Sequence, residues 1–170
     1  QIMITLGGLG FLLYYSFGSG ISIRVANFYG QADWTNVRRS ARAGMHILLA
    51  MMACSSSIFY FGGESIIRCF TSDPAVVALA LSLIFPLILY QLGDAMQICF
   101  ANALRGTSHV LPMMWIAFVS YIVVNIPASY LLAFPLGLGI TGLYLAFSLG
   151  LFVAAGLFCW KFYRVCRKHG

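Results

Sequence analysis

PAVVALALSLIFPLILYQLGDAMQICFANAL, residues 74–104, reads as a lipid-soluble helix interrupted by a single carboxylate. Asp94 is the only charged side chain in these 31 residues. An aspartate near the middle of a bilayer helix costs about 2.5–3.5 kcal/mol to insert. The surrounding Leu, Ile, Phe and Val each return about 0.3–0.6 kcal/mol, so the segment still inserts with the acid aboard. A group that costly in lipid marks, by default, a path for an ion, a proton or a substrate. The plainer alternative is a structural acid paired with a neighbouring helix.

The rest of the chain agrees with a membrane reading. It is 61% hydrophobic and 8% charged, where soluble domains carry about 25% charged residues, and its mean hydropathy is +0.91. The net charge of +6 comes from short basic clusters beside apolar runs. Such clusters read as topology signals and leave nucleic acid out as a partner. The fold class expected is all-α, a polytopic membrane helix bundle with five transmembrane helices, forming a single transmembrane domain over residues 1–170.

The five spans are expected at about Ile2–Phe28, Val37–Gly62 and Pro74–Leu104, with two more inside Val110–Trp160. That last stretch holds 51 residues without a charge, whereas one crossing needs about 20. Phe134-Pro-Leu-Gly-Leu-Gly-Ile-Thr-Gly142 supplies the turn between them. Arg24, Arg38, Arg39, Arg42, Arg105, Lys161, Arg164, Arg167 and Lys168 all fall at alternate span ends, and Arg68 alone falls at the other end. Nine against one is a strong positive-inside bias. It predicts cytoplasmic first and third loops, a cytoplasmic C-terminus and an external N-terminus. An external N-terminus calls for a signal peptide or a preceding helix, and the chain opens on Gln1 without a basic leader. The expectation is therefore the C-terminal part of a longer protein, lacking at least one preceding helix.

Placed at 100° per residue, Gln97, Tyr90, Asp94, Arg105, Gln91 and Asn102 share an arc of about 140° on the third span. Lipid offers these groups no partners, so the stripe must face other helices or water. Tyr90 stands one turn before Asp94, where its hydroxyl can share a ligand. Gln91, Gln97 and Asn102 are candidate cavity-lining residues. Pro86 and Pro127 each remove a backbone hydrogen bond and crowd a carbonyl four residues back, at Ser82 and Val123, which predicts helix kinks. Interrupted helices beside a midplane acid recur in secondary transporters. Gly142, Ala146, Gly150 and Ala154 form a small-residue stripe on the last span, with Gly18 and Ser22 a weaker version on the first. Both are packing signals.

The connections carry local signals. Tyr29–Asn36 is expected as a polar loop, and Gly62–Asp73 as a segment lying on the outer interface. Thr71, Ser72 or Asp73 is placed to cap the next helix, with Pro74 in its first turn. Trp34, Trp115, Trp160 and Tyr163 suit interfacial anchoring.

Other chemistries find little support. Cys54, Cys69, Cys99, Cys159 and Cys166 are scattered without zinc or redox spacing. His46, His109 and His169 lie far apart, near interfaces. The chain has four acids, three of them in loops or interfacial segments, and they assemble no catalytic set. No nucleotide motif is present, so no ATP-driven step is expected, no cofactor beyond a coupling ion is implied, and the chain does not read as an enzyme.

Several segments together carry a resemblance. Ile23-Arg-Val-Ala-Asn-Phe-Tyr-Gly-Gln-Ala-Asp33, followed by Val37-Arg-Arg-Ser-Ala-Arg-Ala-Gly44, resembles the helix-end and loop pattern of multidrug and toxic compound extrusion (MATE) transporters. Tyr90-Gln-Leu-Gly-Asp-Ala-Met-Gln97 with Ala103-Leu-Arg-Gly106 is similar to the tenth helix of that family's NorM-type branch. Asn125-Ile-Pro-Ala-Ser-Tyr-Leu-Leu132 and Leu138-Gly-Ile-Thr-Gly-Leu-Tyr144 resemble its eleventh and twelfth.

The resemblance implies a twelve-helix transporter in two six-helix lobes around a central cavity, with both termini cytoplasmic. This chain would supply helices eight to twelve, a partial C-terminal lobe. It would act with the N-terminal lobe and the preceding helix in an inner or plasma membrane. The family exports cationic or amphipathic compounds in exchange for Na+ or H+. By the same resemblance Asp94 belongs to a cation site, with Na+ as one candidate occupant, and Tyr90 matches that site's tyrosine. The usual glutamate partner on helix seven is absent from this sequence, so the fragment alone is not expected to transport.

Competition among a coupling ion, a proton and a cationic cargo for one carboxylate would then exchange them across the membrane. Coupling requires that the two access states bind the ion differently. Two rival readings are a lipid-linked oligosaccharide flippase of the same superfamily and a non-transport scaffold. The flippase should show Arg or Lys facing inward within the spans, and none appears there. The scaffold would use the Asp94 stripe only as glue between helices.

Overall fold

A computed structural model describes residues 2–169. Gln1 and Gly170 lie outside the described residues, as do the side chains of Ile2, Met3, Leu9 and His169. The chain forms α1 (Ile2–Gly30), α2 (Trp34–Arg68), α3 (Pro74–Ser82), α4 (Ile84–Gly106), α5 (Val110–Phe118), a π-helical stretch (Val119–Asn125), α6 (Ile126–Ala133) and α7 (Gly139–His169). Five helical segments are long and apolar enough to cross a membrane: 4–30, 34–68, 84–106, 110–133 and 139–168. The described residues contain no strand. The all-α, five-span expectation holds.

Helix α4 is the hub of the bundle. It packs most extensively on α7, then on α1 and α2, and thirteen of its residues are buried. Tyr14, Leu48, Ala95, Cys99, Ala103, Ala154 and Phe162 belong to the larger core where these four helices meet. Close approach is set by small residues. A Cβ added at Gly93 would stand 2.9 Å from Leu151 Cβ on α7. One at Gly150 would stand 3.0 Å from Asn125 Cβ. The stripe Gly142, Ala146, Gly150, Ala154 is buried along its whole length, as its spacing implied.

The connections differ from expectation in several places, the first loop shrinking from Tyr29–Asn36 to residues 31–33 between α1 and α2. Helix α2 does not stop at Gly62: it runs on to Arg68, where Arg68 donates to Glu64 one turn back at 2.8 Å. Gly63 is pressed against Ile84, and Ile66 and Ile67 pack into a second apolar cluster, so tertiary contacts carry the helix through two glycines. The third span is two helices. It breaks at Leu83, beside the Ser82 carbonyl that Pro86 crowds, and only α4 is long enough to cross. Asp73 caps α3 by accepting from the Ala75 amide at 2.9 Å, with Pro74 at the first helical position. The turn before α7 needs positive φ at Gly137 (66°) and Gly139 (53°), as glycine allows.

The first loop is short, with its cap at Asp33. The Asn36 backbone amide donates to Asp33 Oδ1 at 3.0 Å, and Asn36 Nδ2 donates to Oδ2 at 2.6 Å. Those two bonds, the backbone one first, hold the Asp33 carboxyl below its ordinary value of 3.8. A depressed folded pKa means that the cap's contribution is complete above the ordinary value and is lost as pH falls through the folded one. Asp33→Asn, which caps without a charge, should therefore match the native protein near neutrality and lose less stability on acidification. Asp33→Ala should be less stable throughout. Thermal melts in detergent from about pH 3 to neutral separate the three curves.

Candidate functional site

Asp94 sits in the middle of α4, 4% exposed, and its Oδ2 has no hydrogen-bond partner among the described residues. A buried, unsatisfied carboxylate oxygen is expensive, and such atoms collect at functional positions. The acid is close enough to act electrostatically on the hydroxyls of Tyr14 on α1, Tyr90 on α4 and Tyr121 in the π-helical stretch. Tyr90 in turn feels Tyr121 and Tyr144, the latter from α7. The charge of one carboxylate thus reaches phenols on three elements.

Two glutamines flank the acid at three residues before and after it, about 60° to either side on the helix. Gln91 is 1% exposed and turns toward α1 and α2, where its Oε1 accepts from Ser55 at 2.9 Å and from Tyr14 at 3.4 Å. The Tyr14 and Ser55 hydroxyls bond each other at 2.8 Å. Ser56 reaches the same amide oxygen at 3.5 Å. Gln91 Nε2 has no partner among the described residues and lies beside Gly10, where a Cβ would come within 3.2 Å of it. Gln97 turns the other way, and its Oε1 accepts from the Tyr121 hydroxyl at 2.7 Å. Asn102, lower on the stripe, donates to the Ile98 carbonyl at 2.9 Å and packs against Gly18 of α1. Arg105 ends the stripe in the open.

The prolines act through backbone geometry. Pro86 occupies the first turn of α4, where a missing N–H goes unnoticed. Pro127 lies just past the π-helical stretch, whose wider hydrogen-bond closure accommodates the bond that Pro127 cannot give to Val123. The expected kink in this span takes the form of a π stretch.

A mostly apolar cleft of about 760 Å³ opens beside the site, between the first turns of α1, the helix α3 and the start of α7. Leu83, Leu87, Tyr90 and Tyr144 line its inner end. Of the candidate residues only Tyr90 borders it. Gln91 and Gln97 are bonded within helix interfaces, and Asn102 is bonded to its own helix.

Sequence alone does not distinguish Tyr14, Ser55, Ser56 and Tyr121 from their neighbours. Each lies in an apolar run on a helix other than α4. The run Ser55-Ser56-Ser57 within a hydrophobic span was the one local signal available.

The chemistry of this set is hard oxygen: one carboxylate, several phenols, two amide oxygens. Such donors suit a proton or a hard monovalent cation, and phenol rings also suit an organic cation.

Comparison with known proteins bears on what this arrangement belongs to. The MatE family model matches residues 1–131. The chain is 32% identical to "Probable multidrug resistance protein NorM" of Acinetobacter baylyi, over 96% of this chain and 36% of that protein. It is 31% identical to "Multidrug resistance protein NorM" of Vibrio cholerae, over 91% of this chain and 35% of that protein. The chain therefore spans little more than a third of the length of these curated relatives. A crystal structure of the eukaryotic MATE transporter AtDTX14 superposes with a TM-score of 0.86 at 23% identity, covering 99% of this chain and 39% of that one. That likeness concerns the fold. The helices, their order and the family match agree, and the family's members are transporters rather than enzymes. This multi-pass membrane chain belongs to the MatE family.

Proposed function

We propose that this chain forms part of the C-terminal lobe of a secondary efflux transporter. Such a protein would export cationic or amphipathic compounds in exchange for Na+ or H+, with Asp94 as the coupling residue and Tyr90 beside it. The observation that carries this reading is the buried Asp94 carboxylate, with one oxygen unpartnered, among tyrosine hydroxyls from three elements. A carboxylate in low-dielectric surroundings is costly while charged, and a cation or a proton relieves that cost. Whichever arrives displaces the other, and coupling follows when the two access states bind them unequally.

Gln91, Gln97 and Asn102 would frame the acid, and any cavity they border would be completed by the rest of the longer protein. Pro86 in the first turn of the helix that carries Asp94, and Pro127 just past the π-helical stretch that carries Tyr121, support helix irregularity near the coupling residue. The multidrug resistance names of the relatives support the cargo class. The nine basic residues at one set of helix ends support a cytoplasmic C-terminus in an inner or plasma membrane.

The test uses the complete gene product in proteoliposomes loaded with a cationic dye, under an imposed sodium or proton gradient. Dye efflux driven by one gradient and absent without it is expected, and it names the ion. Efflux indifferent to both gradients, from well-folded protein, would remove the antiporter reading.

A further inference from the structure

The bond between Tyr121 and Gln97 has a competitor. Tyr121 donates its single hydroxyl proton to Gln97 Oε1 at 2.7 Å. Three residues earlier on the same helix, Asp94 presents a buried oxygen with no donor. Side chains three apart on a helix are neighbours, about 5–6 Å between Cβ atoms, and the Asp94 carboxylate already acts electrostatically on the Tyr121 hydroxyl. One O–H proton cannot serve both acceptors at full strength. Gln97 is only half-buried, so its oxygen can find another partner when Tyr121 leaves. Asp94 is almost fully buried, so water cannot fill that place. Tyr121 also stands in the π-helical stretch, a form frequent at functional sites.

We propose that Tyr121 is a positioning residue whose hydroxyl alternates between two acceptors, donating to Gln97 when Asp94 carries a cation or proton and to the Asp94 carboxylate when it does not. The exchange lowers the cost of the unloaded carboxylate and so weakens ion binding enough for release. This rests on the reading of Asp94 as the coupling residue. The other titratable groups around the acid are Tyr14 on α1 and Tyr90 on α4 itself, with Tyr144 of α7 beside Tyr90. The α2 hydroxyls of Ser55 and Ser56 do not titrate and are engaged at Gln91.

The two partners make opposite predictions, which separates the exchange from mere structural damage. Tyr121→Phe removes the donor from the unloaded carboxylate, so the ion should bind more tightly. The driving-ion concentration for half-maximal efflux should fall by about tenfold, the worth of one hydrogen bond to a charged group. Gln97→Leu, or Gln97→Met should the leucine variant fold poorly, removes the loaded-state acceptor. Tyr121 then stays on Asp94, and the same concentration should rise. The double variant should behave as Tyr121→Phe alone. Shifts of one sign in both single variants, or no shift in Tyr121→Phe, would overturn the exchange. Asp94→Asn in the same vesicles distinguishes the two levels. If it abolishes ion dependence while Tyr121→Phe shifts nothing, only the exchange is wrong. If it leaves ion dependence intact, the coupling reading fails and the exchange falls with it.

Discussion

Asp94→Asn in the complete transporter is expected to cut gradient-driven efflux by about 100-fold, within the range of typical coupling free energies, while protein yield stays level or rises. The substitution keeps the side chain's size and an acceptor oxygen, so the contacts of α4 with α1 and α7 should survive. It removes the charge behind an insertion cost of about 2.5–3.5 kcal/mol and leaves a cheaper neutral amide, which is why yield should not suffer. What disappears is the ability to carry a charge that a cation neutralises. With no differential ion affinity between access states, an ion gradient has nothing to act on. Asp94→Glu should retain partial activity, since the charge remains and only its reach changes. The measurement is dye efflux per folded transporter under the active gradient. Retained efflux in Asp94→Asn at normal yield would move coupling to another part of the protein.

A second large effect is expected at the foot of the α1–α4 contact. A Cβ at Gly106 would stand 2.6 Å from the Ser22 carbonyl oxygen and 2.9 Å from Val25 Cβ, so the backbone of α1 itself would have to move. Overpacking of this kind costs about 1–3 kcal/mol, and a branched residue sits at the upper end. Gly106→Val should lower the melting temperature of the detergent-solubilised protein clearly. Gly20→Ala is the matched control, because nothing lies within 4 Å of a Cβ there. Equal melting temperatures for the two variants would mean that the helices are not in contact at Gly106. Because Tyr14 and Gln91 meet farther along the same interface, Gly106→Val should also disturb the polar cluster.

These two residues show which features were readable before any coordinates. Asp94 announces itself because one charge in a hydrocarbon run is a compositional fact, visible without knowing any partner. The break at Leu83 was foreshadowed by the carbonyl that Pro86 crowds. The expected interfacial segment from Gly62 did not show that α2 continues to Arg68, because the contact of Gly63 with Ile84 on another helix is invisible in one segment. The flanking glutamines were legible as a stripe on one helix, but their partners were not. Tyr14 and Tyr121 meet them across interfaces that a single-helix projection does not contain. The role of Gly106 was hidden for the same reason: its neighbour Ser22 lies 84 positions away in the sequence.

The π-helical stretch from Val119 to Asn125 has a consequence for how its span is counted. Each π closure takes in one more residue than an α turn, so the angular phase of side chains slips as the chain passes through it. Residues of α6 therefore do not continue the wheel begun by α5, and a projection of 110–133 at a uniform 100° assigns the later positions to the wrong sides. Any periodicity measured along this span, whether of substitution tolerance or of reagent accessibility, should consist of two regular waves that disagree about their origin.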